Sequence, residues 1–95
     1  MRVITLRRLR EFWTVHPVSR ALLKSWYKIV VDVEVSSFEE LKALFPQVDY
    51  VSGLYVFNIG NSYRLIAAIH FNRQFVYVRH VLTHAEYDRG KWKPK

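Results

Sequence analysis

Arginine, histidine and tyrosine side chains are concentrated in one stretch of the sequence, YRLIAAIHFNRQFVYVRHVLTHAEYD, from Tyr63 to Asp88. Histidine titrates near neutral pH and can move a proton, arginine binds phosphate through paired N–H donors, and an aromatic ring can stack on an unpaired base. RNA cleavage without a metal requires little more, because the RNA supplies its own 2′-OH nucleophile. The candidates in this stretch are Arg64, Arg73, Arg79, His84 and Tyr87. Strand arginines paired with structural carboxylates would leave the same pattern, so spacing alone leaves both interpretations open.

A hairpin of two strands is predicted for this stretch, because its apolar residues alternate with a period of two. With a two-residue loop at Asn72-Arg73, Ile69 lies opposite Val76 and one face is continuously apolar. On the return strand that face holds Val76, Val78, His80 and Leu82. The other face of the hairpin holds Arg64, His70, Tyr77 and Arg79. A shift of one residue would exchange the faces, so the apolar match favours this register.

The composition indicates one basic, globular domain over residues 1–95. The chain has 95 residues, a formal net charge of +7 and 16% aromatic residues. This charge implies an anionic partner, with nucleic acid favoured over an acidic protein or a membrane surface, although a merely soluble basic domain would look the same. No apolar run approaches the roughly 18 residues of a membrane span, and no signal-peptide pattern is present. A cytoplasmic protein without membrane contact is therefore expected.

No metal or cofactor site is predicted. The chain has no cysteine, and its 4 histidines form no His-x-x-x-His pair on a predicted helix. His80 and His84 have that spacing, but the first lies in a predicted strand and the second beyond it. The 3 glycines form neither a phosphate-binding loop nor a nucleophile elbow.

The elements around the hairpin follow from periodicity and from capping signals. Thr5 is a predicted cap for the first helix, Pro17 a predicted first residue of the second, and Ser37 with Glu40 has the spacing of a capping box. The predicted elements are a strand at 1–4, helices at 6–15, from 17 to about 33 and at 38–45, an extended segment at 48–51 and a strand at 54–59. This order, β-α-α-(short α)-β-β-β with a polar C-terminal tail, predicts an α+β two-layer domain with its helices on one face of a small antiparallel sheet.

The run VFNIGNSYRLIAAIHFNRQFVYVRHVLTHAEYDRGKW resembles the C-terminal half of the HigB toxins, which are mRNA interferases of type II toxin–antitoxin systems. The upstream pieces LREFW, WYK and Phe45-Pro46 also match, so the resemblance covers nearly the whole chain. One departure lies at Gly60-Asn61, where family members often carry an extra residue. The family belongs to the RelE/ParE superfamily, so the resemblance implies the RelE-like fold, a layer of helices on an antiparallel sheet.

The resemblance also implies a function and partners. It implies cleavage of mRNA, usually on the translating ribosome, and silencing by a cognate HigA antitoxin of the helix-turn-helix type. Operator DNA would be contacted only indirectly, through the antitoxin. Two alternatives stay open: a poison of DNA gyrase, as in other toxins of the superfamily, and an RNA-binding module without activity.

Site residues carry over from the resemblance only where they match. Arg64 in the YRL motif resembles the family's phosphate-binding strand arginine, and Arg79 lies in the matching VRHV strand. His84 in THAEYD takes the place of a catalytic residue just after the last strand. Tyr87 would stack on a base or orient the 2′-OH. The hypothesis is that His84 is the general acid or base, while Arg64 and Arg79 stabilise the charged transition state.

Weaker candidates for RNA contacts lie elsewhere in the same region, namely Arg73, Lys91, His70 and Tyr77. Three of them have a structural alternative: Arg73 as an exposed turn residue, Lys91 as part of a mobile tail, and His70 as a structural residue of its strand. His80 is expected to be structural because it falls on the apolar face. Arg79 could instead pair with Asp88 or Glu86, and Trp92 is expected to fold back onto the sheet.

Overall fold

The predicted hairpin forms the centre of a five-stranded sheet in the computed structural model of the chain, which describes residues 1–4 and 6–94. The strands are β1 (Arg2–Ile4), β2 (Asp49–Val51), β3 (Leu54–Ile59), β4 (Tyr63–His70) and β5 (Phe75–Thr83). The helices are α1 (Leu6–Val15), α2 (Ser19–Asp32), α3 (Phe38–Leu44) and α4 (His84–Asp88). The α+β class is therefore confirmed. The predicted cap Thr5 lies outside the described residues.

The sheet is mixed rather than fully antiparallel. Its order is β1-β5-β4-β3-β2, and β1 runs parallel to β5, with Arg2 beside Phe75. The other three pairings are antiparallel, as predicted. A parallel neighbour requires a crossover connection, and between β1 and β5 the chain passes through the helices before it returns. β1 is thereby placed beside the strand that precedes α4.

The helices cover one face of this sheet through aromatic contacts. The Phe12 ring of α1 meets the edge of Tyr63 on β4 at 5.4 Å between centroids. Trp26 of α2 and Phe45 both pack edge-on against Phe57 of β3, at 5.4 and 5.1 Å. Phe57 is 1% exposed, so it anchors both helical segments in the main core.

The start of α2 and one hydrogen bond of the α3 cap differ from the prediction. α2 begins at Ser19 rather than at Pro17, because Pro17 and Val18 form a turn that the Ser19 hydroxyl closes by donating to the His16 carbonyl at 2.7 Å. The Ser37 cap of α3 is confirmed, since its hydroxyl accepts the Glu40 N–H at 3.2 Å. The Glu40 carboxylate, however, accepts the N–H of Ser36 at 3.0 Å rather than that of Ser37.

The hairpin has the predicted register near its turn but a longer loop. Ile69 lies opposite Val76, as predicted, and the last strand pair is His70 with Phe75. The loop comprises a 3-10 turn over Phe71–Arg73 and then Gln74 in the left-handed conformation at φ 58°. The Gln74 side-chain amide donates to the Val35 carbonyl at 2.7 Å, which fixes the loop against the segment after α2.

A β-bulge changes the faces of β5 beyond this region. Ala67 lies opposite Val78, but Ile66 lies opposite His80, so Arg79 is an extra residue in β5. His80 and Leu82 therefore leave the helix-covered face, and Val81 joins the main core instead. The prediction that His80 and Leu82 continue the apolar face is wrong for this reason.

The second face of the sheet has its own small core. Val56, Ile66 and Trp92 are buried there, with Leu82 and Tyr87 packed against them. Trp92 is 6% exposed, and its indole N–H donates to the Tyr87 carbonyl at 3.0 Å. The prediction that Trp92 folds back onto the sheet is confirmed. No helix among the described residues is long and apolar enough to span a membrane.

Trp92→Ala should destabilise the protein by about 3 kcal/mol, because truncating a buried tryptophan leaves a cavity. Chemical denaturation followed by circular dichroism measures this loss. Val18→Ala, at a position 77% exposed, should change the free energy of unfolding by about 0.5 kcal/mol at most. Equal stabilities of the two variants would contradict the packing role of Trp92.

Candidate functional site

The segment after β5 is a short helix rather than an irregular tail, and it fixes the position of His84. Thr83 caps α4: its hydroxyl accepts the Glu86 N–H at 3.2 Å, and the Glu86 carboxylate accepts the Thr83 N–H at 2.9 Å. This reciprocal pair is a capping box. The His84 N–H donates to the Ser62 carbonyl at 2.8 Å. His84 is thereby held at the end of the β4–β5 pair.

The His84 ring is oriented by a carboxylate from the same helix. Its Nδ1 atom lies 2.8 Å from Oδ2 of Asp88, one turn further along α4. Both side chains remain about half exposed, at 52% and 59%. A histidine whose Nδ1 is bound to a carboxylate keeps Nε2 available for a substrate, and the carboxylate holds the ring in a defined orientation. The pair therefore suits general acid or base chemistry.

Arg64, Tyr87 and Trp92 form a stacked group at the same end of the sheet. The Arg64 guanidinium lies 5.8 Å from the centre of the Tyr87 ring, and this ring stacks on Trp92 at 5.3 Å with an interplanar angle of 13°. Nη1 of Arg64 also donates to the Tyr63 carbonyl at 2.8 Å. Arg64 pairs with Leu82 across the strands, only two residues before His84. A fixed guanidinium next to a proton-transfer group is an arrangement suited to a phosphate.

The basic candidates Arg79 and Lys91 lie outside the stacked group of Arg64, Tyr87 and Trp92. Arg79 is the extra residue of the bulge and is exposed. The predicted alternative pairing of Arg79 is absent from the described residues, since Asp88 binds His84 and Glu86 caps α4. Lys91 is exposed beside Trp92 and lines a groove with it.

Three predicted RNA contacts lie at the opposite end of the strands. His70 and Tyr77 meet edge to face at 5.1 Å, next to the hairpin loop that carries Arg73. Six residues of β4 separate Arg64 from His70, which corresponds to about 20 Å at roughly 3.3 Å per residue. The structure thus brings together Arg64, Tyr87 and His84, and separates them from Arg73, His70 and Tyr77. The roles of all these residues remain predictions.

His80 occupies the junction of two open grooves on either side of β5. The first, between α1 and β5, has a volume of about 360 Å³ and is lined by Arg8, Glu11, Phe12, Val15, His16, His80, Val81, Leu82 and Glu86. The second, under the C-terminal segment, has about 200 Å³ and is lined by His80, Leu82, Glu86, Arg89, Lys91 and Trp92. We call the two together the β5 groove. No cluster of three metal-ligating side chains occurs within residues 1–4 and 6–94.

Two pKa values at the β5 groove depart from their usual range. Partial burial lowers the pKa of the His80 imidazole, and the positive charges of Arg8 and Arg79 lower it further. The hydrogen bond from the Thr83 backbone lowers the pKa of the Glu86 carboxyl. At neutral pH, His80 is therefore an uncharged donor and acceptor, and Glu86 is an anion.

The lowered pKa of His80 predicts that the folded protein loses stability below about pH 6.5. The His80 imidazole binds a proton more tightly in the unfolded chain than in the folded protein. Its contribution to the free energy of unfolding is therefore fully present above pH 6.5, which corresponds to the ordinary pKa of histidine. This contribution is lost as the pH falls towards the lower pKa of the folded protein. The Glu86 carboxyl adds a second loss only below its ordinary pKa of 4.5. Urea denaturation at pH 7.5, 6.5 and 5.5 measures the first loss.

The matched variant for this measurement is His80→Phe, which keeps a ring but removes the titration. Its free energy of unfolding should fall less than that of the wild type between pH 7.5 and pH 5.5. Identical pH slopes for the two proteins would show that His80 makes no such contribution.

Sequence reasoning missed three residues of this region. The charge pattern alone suggests Asp88 as a partner of Arg79, whereas the Thr83–Glu86 capping signal predicts a helix in which residues 84 and 88 share a face. Trp92 was assigned to packing alone, yet it also supports the Tyr87 ring. His80 was assigned to the core because a regular strand would place it there, and its polarity on an apolar face was the signal against that assignment.

Comparison with known proteins places this geometry in a family. A family profile described as HigB toxin, the RelE-like toxic component of a toxin–antitoxin system, matches residues 19–90. The mRNA interferase toxin HigB of Escherichia coli K12 is 35% identical over 92 residues, covering 93% of this chain and 88% of that protein. The mRNA interferase HigB of Escherichia coli O6:H1 is 32% identical over 93 residues, covering 94% and 90%. The chain therefore belongs to the HigB family of RelE-like toxins.

Proposed function

We propose that this chain is an endoribonuclease that cleaves mRNA and thereby inhibits translation. Two observations support the proposal. Relatives that align over nearly the whole chain are named mRNA interferases, and the fixed Arg64 guanidinium lies at the same end of the β4–β5 pair as the His84–Asp88 pair. The second observation carries most weight, because phosphate binding and proton transfer must act on one phosphodiester.

The proposed reaction uses the 2′-OH of the RNA as nucleophile. Its oxygen forms a bond to phosphorus while the bond from phosphorus to the 5′-oxygen breaks, which yields a 2′,3′-cyclic phosphate and a 5′-hydroxyl. His84 either accepts the proton of the 2′-OH or donates one to the leaving 5′-oxygen, and solvent water takes part in the other transfer. Arg64 and Arg79 stabilise the extra negative charge of the transition state. These side chains account for proton transfer and charge stabilisation without a metal.

Tyr87 has a supporting role in this proposal. One side of its ring is covered by Trp92 and the Arg64 guanidinium lies near it, so the ring is held in a defined orientation. An aromatic ring fixed in this way can stack on a base, and the tyrosine hydroxyl can form a hydrogen bond to the 2′-OH. Tyr87→Phe distinguishes the two roles, since stacking survives removal of the hydroxyl and hydrogen bonding does not.

The proposed partners follow from membership of a toxin–antitoxin family. An antitoxin is the partner that the family implies, and we propose that it is a HigA-type helix-turn-helix protein. We also propose that cleavage takes place on translating ribosomes in the cytoplasm. The net charge of +7 suits association with mRNA and ribosomal RNA.

Primer extension on a reporter mRNA in a reconstituted translation reaction tests the function. Wild-type protein should produce defined cuts, and the products should carry 2′,3′-cyclic phosphate ends. Parallel reactions with naked mRNA test the ribosome dependence. Intact mRNA in every reaction, combined with inhibition of DNA gyrase in a supercoiling assay, would instead assign this protein to the gyrase poisons.

A further inference from the structure

The bulge at Arg79 gives β5 a polar outer edge, of which the reaction described above uses only Arg79. It turns His80 out of the helix-covered core and places it where both parts of the β5 groove meet. A bulge commonly re-aims a side chain next to a functional site. His80 is not needed there to bury Ile66, its neighbour across the strands, because Trp92 already covers Ile66.

The outer edge of β5 is paired with β1 over only part of its length. β1 pairs only with Phe75, Val76 and Tyr77. From Val78 onward, the edge of β5 that faces away from β4 has no strand neighbour among the described residues. Unpaired backbone N–H and C=O groups on such an edge are available to a ligand. The groove thus lies where the sheet edge has no strand partner among the described residues, and the His80 side chain lines it with hydrogen-bonding groups.

The charges around the groove favour an anion. Arg8, Arg89 and Lys91 line it, and Arg79 stands beside it on the bulge. Its two carboxylates are already engaged: Glu11 lies 3.5 Å from Arg7, and Glu86 accepts the Thr83 N–H at 2.9 Å. The positive side chains therefore outnumber the negative ones, and the negative ones have partners.

One wall of the groove is aromatic. The Phe12 and His16 rings stack at 4.5 Å with an interplanar angle of 30°, and both line the part between α1 and β5. A flat ring system beside a basic rim is the combination that binds single-stranded nucleic acid, with the base on the aromatic wall and the phosphate on the cations. A groove of about 360 Å³ lies within the range of small-ligand pockets.

We propose that the β5 groove binds one unstacked nucleotide of single-stranded RNA next to the cleaved phosphate, and that His80 hydrogen-bonds to it. This inference rests on the proposed function, because it assigns the groove to the same RNA strand. The uncharged imidazole supplies one donor and one acceptor, so it contacts a base or ribose group, while Arg8 and Arg89, which line the groove, bind the adjacent phosphates. His80 is a substrate-binding residue in this assignment and transfers no proton.

Equilibrium binding tests the role of His80 directly. The probe is a fluorescein-labelled single-stranded oligonucleotide of about 12 nucleotides in 2′-O-methyl RNA, which lacks the nucleophile and stays intact. His80→Phe keeps the ring and should weaken binding about fivefold to tenfold, since it removes hydrogen bonds. His80→Gln keeps a donor and an acceptor and should bind within about twofold of the wild type. Ser25→Ala, at an exposed position of α2, should have no effect.

A photocrosslink tests the location of the RNA independently of affinity. Benzoylphenylalanine in place of Val15, which lines the groove and is 73% exposed, should crosslink to the RNA probe. The same residue in place of Ser25 should not. Thermal unfolding of each variant verifies that it is folded.

The outcomes separate this inference from the proposed function. Affinities of His80→Phe and His80→Gln equal to wild type, or equal crosslinking from positions 15 and 25, would overturn the inference even if the wild type cleaves mRNA. A wild type that fails to cleave would overturn the proposed function. Even if the wild type does not cleave mRNA, the groove would still be supported as an RNA site by two results together. These are a weaker RNA affinity of His80→Phe and crosslinking from position 15 but not from position 25.

Discussion

His84→Ala should lower the rate of mRNA cleavage by at least about a hundredfold, the effect typical of losing a general acid or base. The reason is the position of the ring at the start of α4, where Asp88 binds Nδ1 at 2.8 Å and the other nitrogen is left for the RNA. Single-turnover cleavage of a reporter mRNA on translating ribosomes measures the rate of the chemical step.

Asp88→Asn is the informative companion to this variant. It keeps the size of the side chain but removes its charge, so the His84 ring loses the carboxylate that orients it. Its rate should lie between those of the wild type and His84→Ala, with unchanged RNA affinity. A wild-type rate for His84→Ala would refute the acid–base role, while the ribonuclease function would stand.

Arg64→Ala should reduce cleavage by about a hundredfold to a thousandfold, the range observed when a preorganised donor to the transition state is removed. Arg64 is held by the Tyr63 carbonyl and lies near the Tyr87 ring, so its guanidinium is already oriented before RNA binds. The same single-turnover assay applies, with circular dichroism to verify folding.

Arg64→Lys separates charge from geometry. Lysine retains the positive charge but offers no planar pair of donors, so it should recover only a small part of the rate. Lys28→Ala removes a positive charge from an exposed position of α2 and should leave cleavage nearly unchanged. A rate for Arg64→Lys equal to the wild type would show that only the charge matters.

The sequence was sufficient to predict the elements that periodicity controls. Apolar alternation predicted β4 and β5 and the pairing of Ile69 with Val76. The same kind of reasoning predicted α1 and α3, whose stripes and caps are local features. The resemblance to a toxin family, carried by motifs spread along the chain, agrees with the family match over residues 19–90.

The departures arise where a local pattern does not determine the tertiary arrangement. The run from Val78 to Leu82 alternates as a regular strand, and only the pairing with β4 shows that Arg79 is extra. Because one inserted residue exchanges the faces, His80 was assigned to the wrong side. The partner of β1 was equally hidden, since three residues of strand contain no information about their neighbour. The helix α4 differs from these cases, because the Thr83–Glu86 spacing is itself a capping signal in the sequence.

The parallel pairing of β1 with β5 also determines when the molecule can fold. A chain leaves the ribosome from its N-terminus onward, so β1 is made first and its neighbour almost last. Contacts between such distant segments form late and slowly. Until β5 has emerged, β1 has no strand partner and α4 has no sheet end to pack against. The arrangement of His84, Asp88 and Arg64 at the end of the β4–β5 pair therefore does not yet exist. The order of the strands thus separates synthesis of this toxin from the appearance of its site, so that a chain still being translated carries none of the assembled surface.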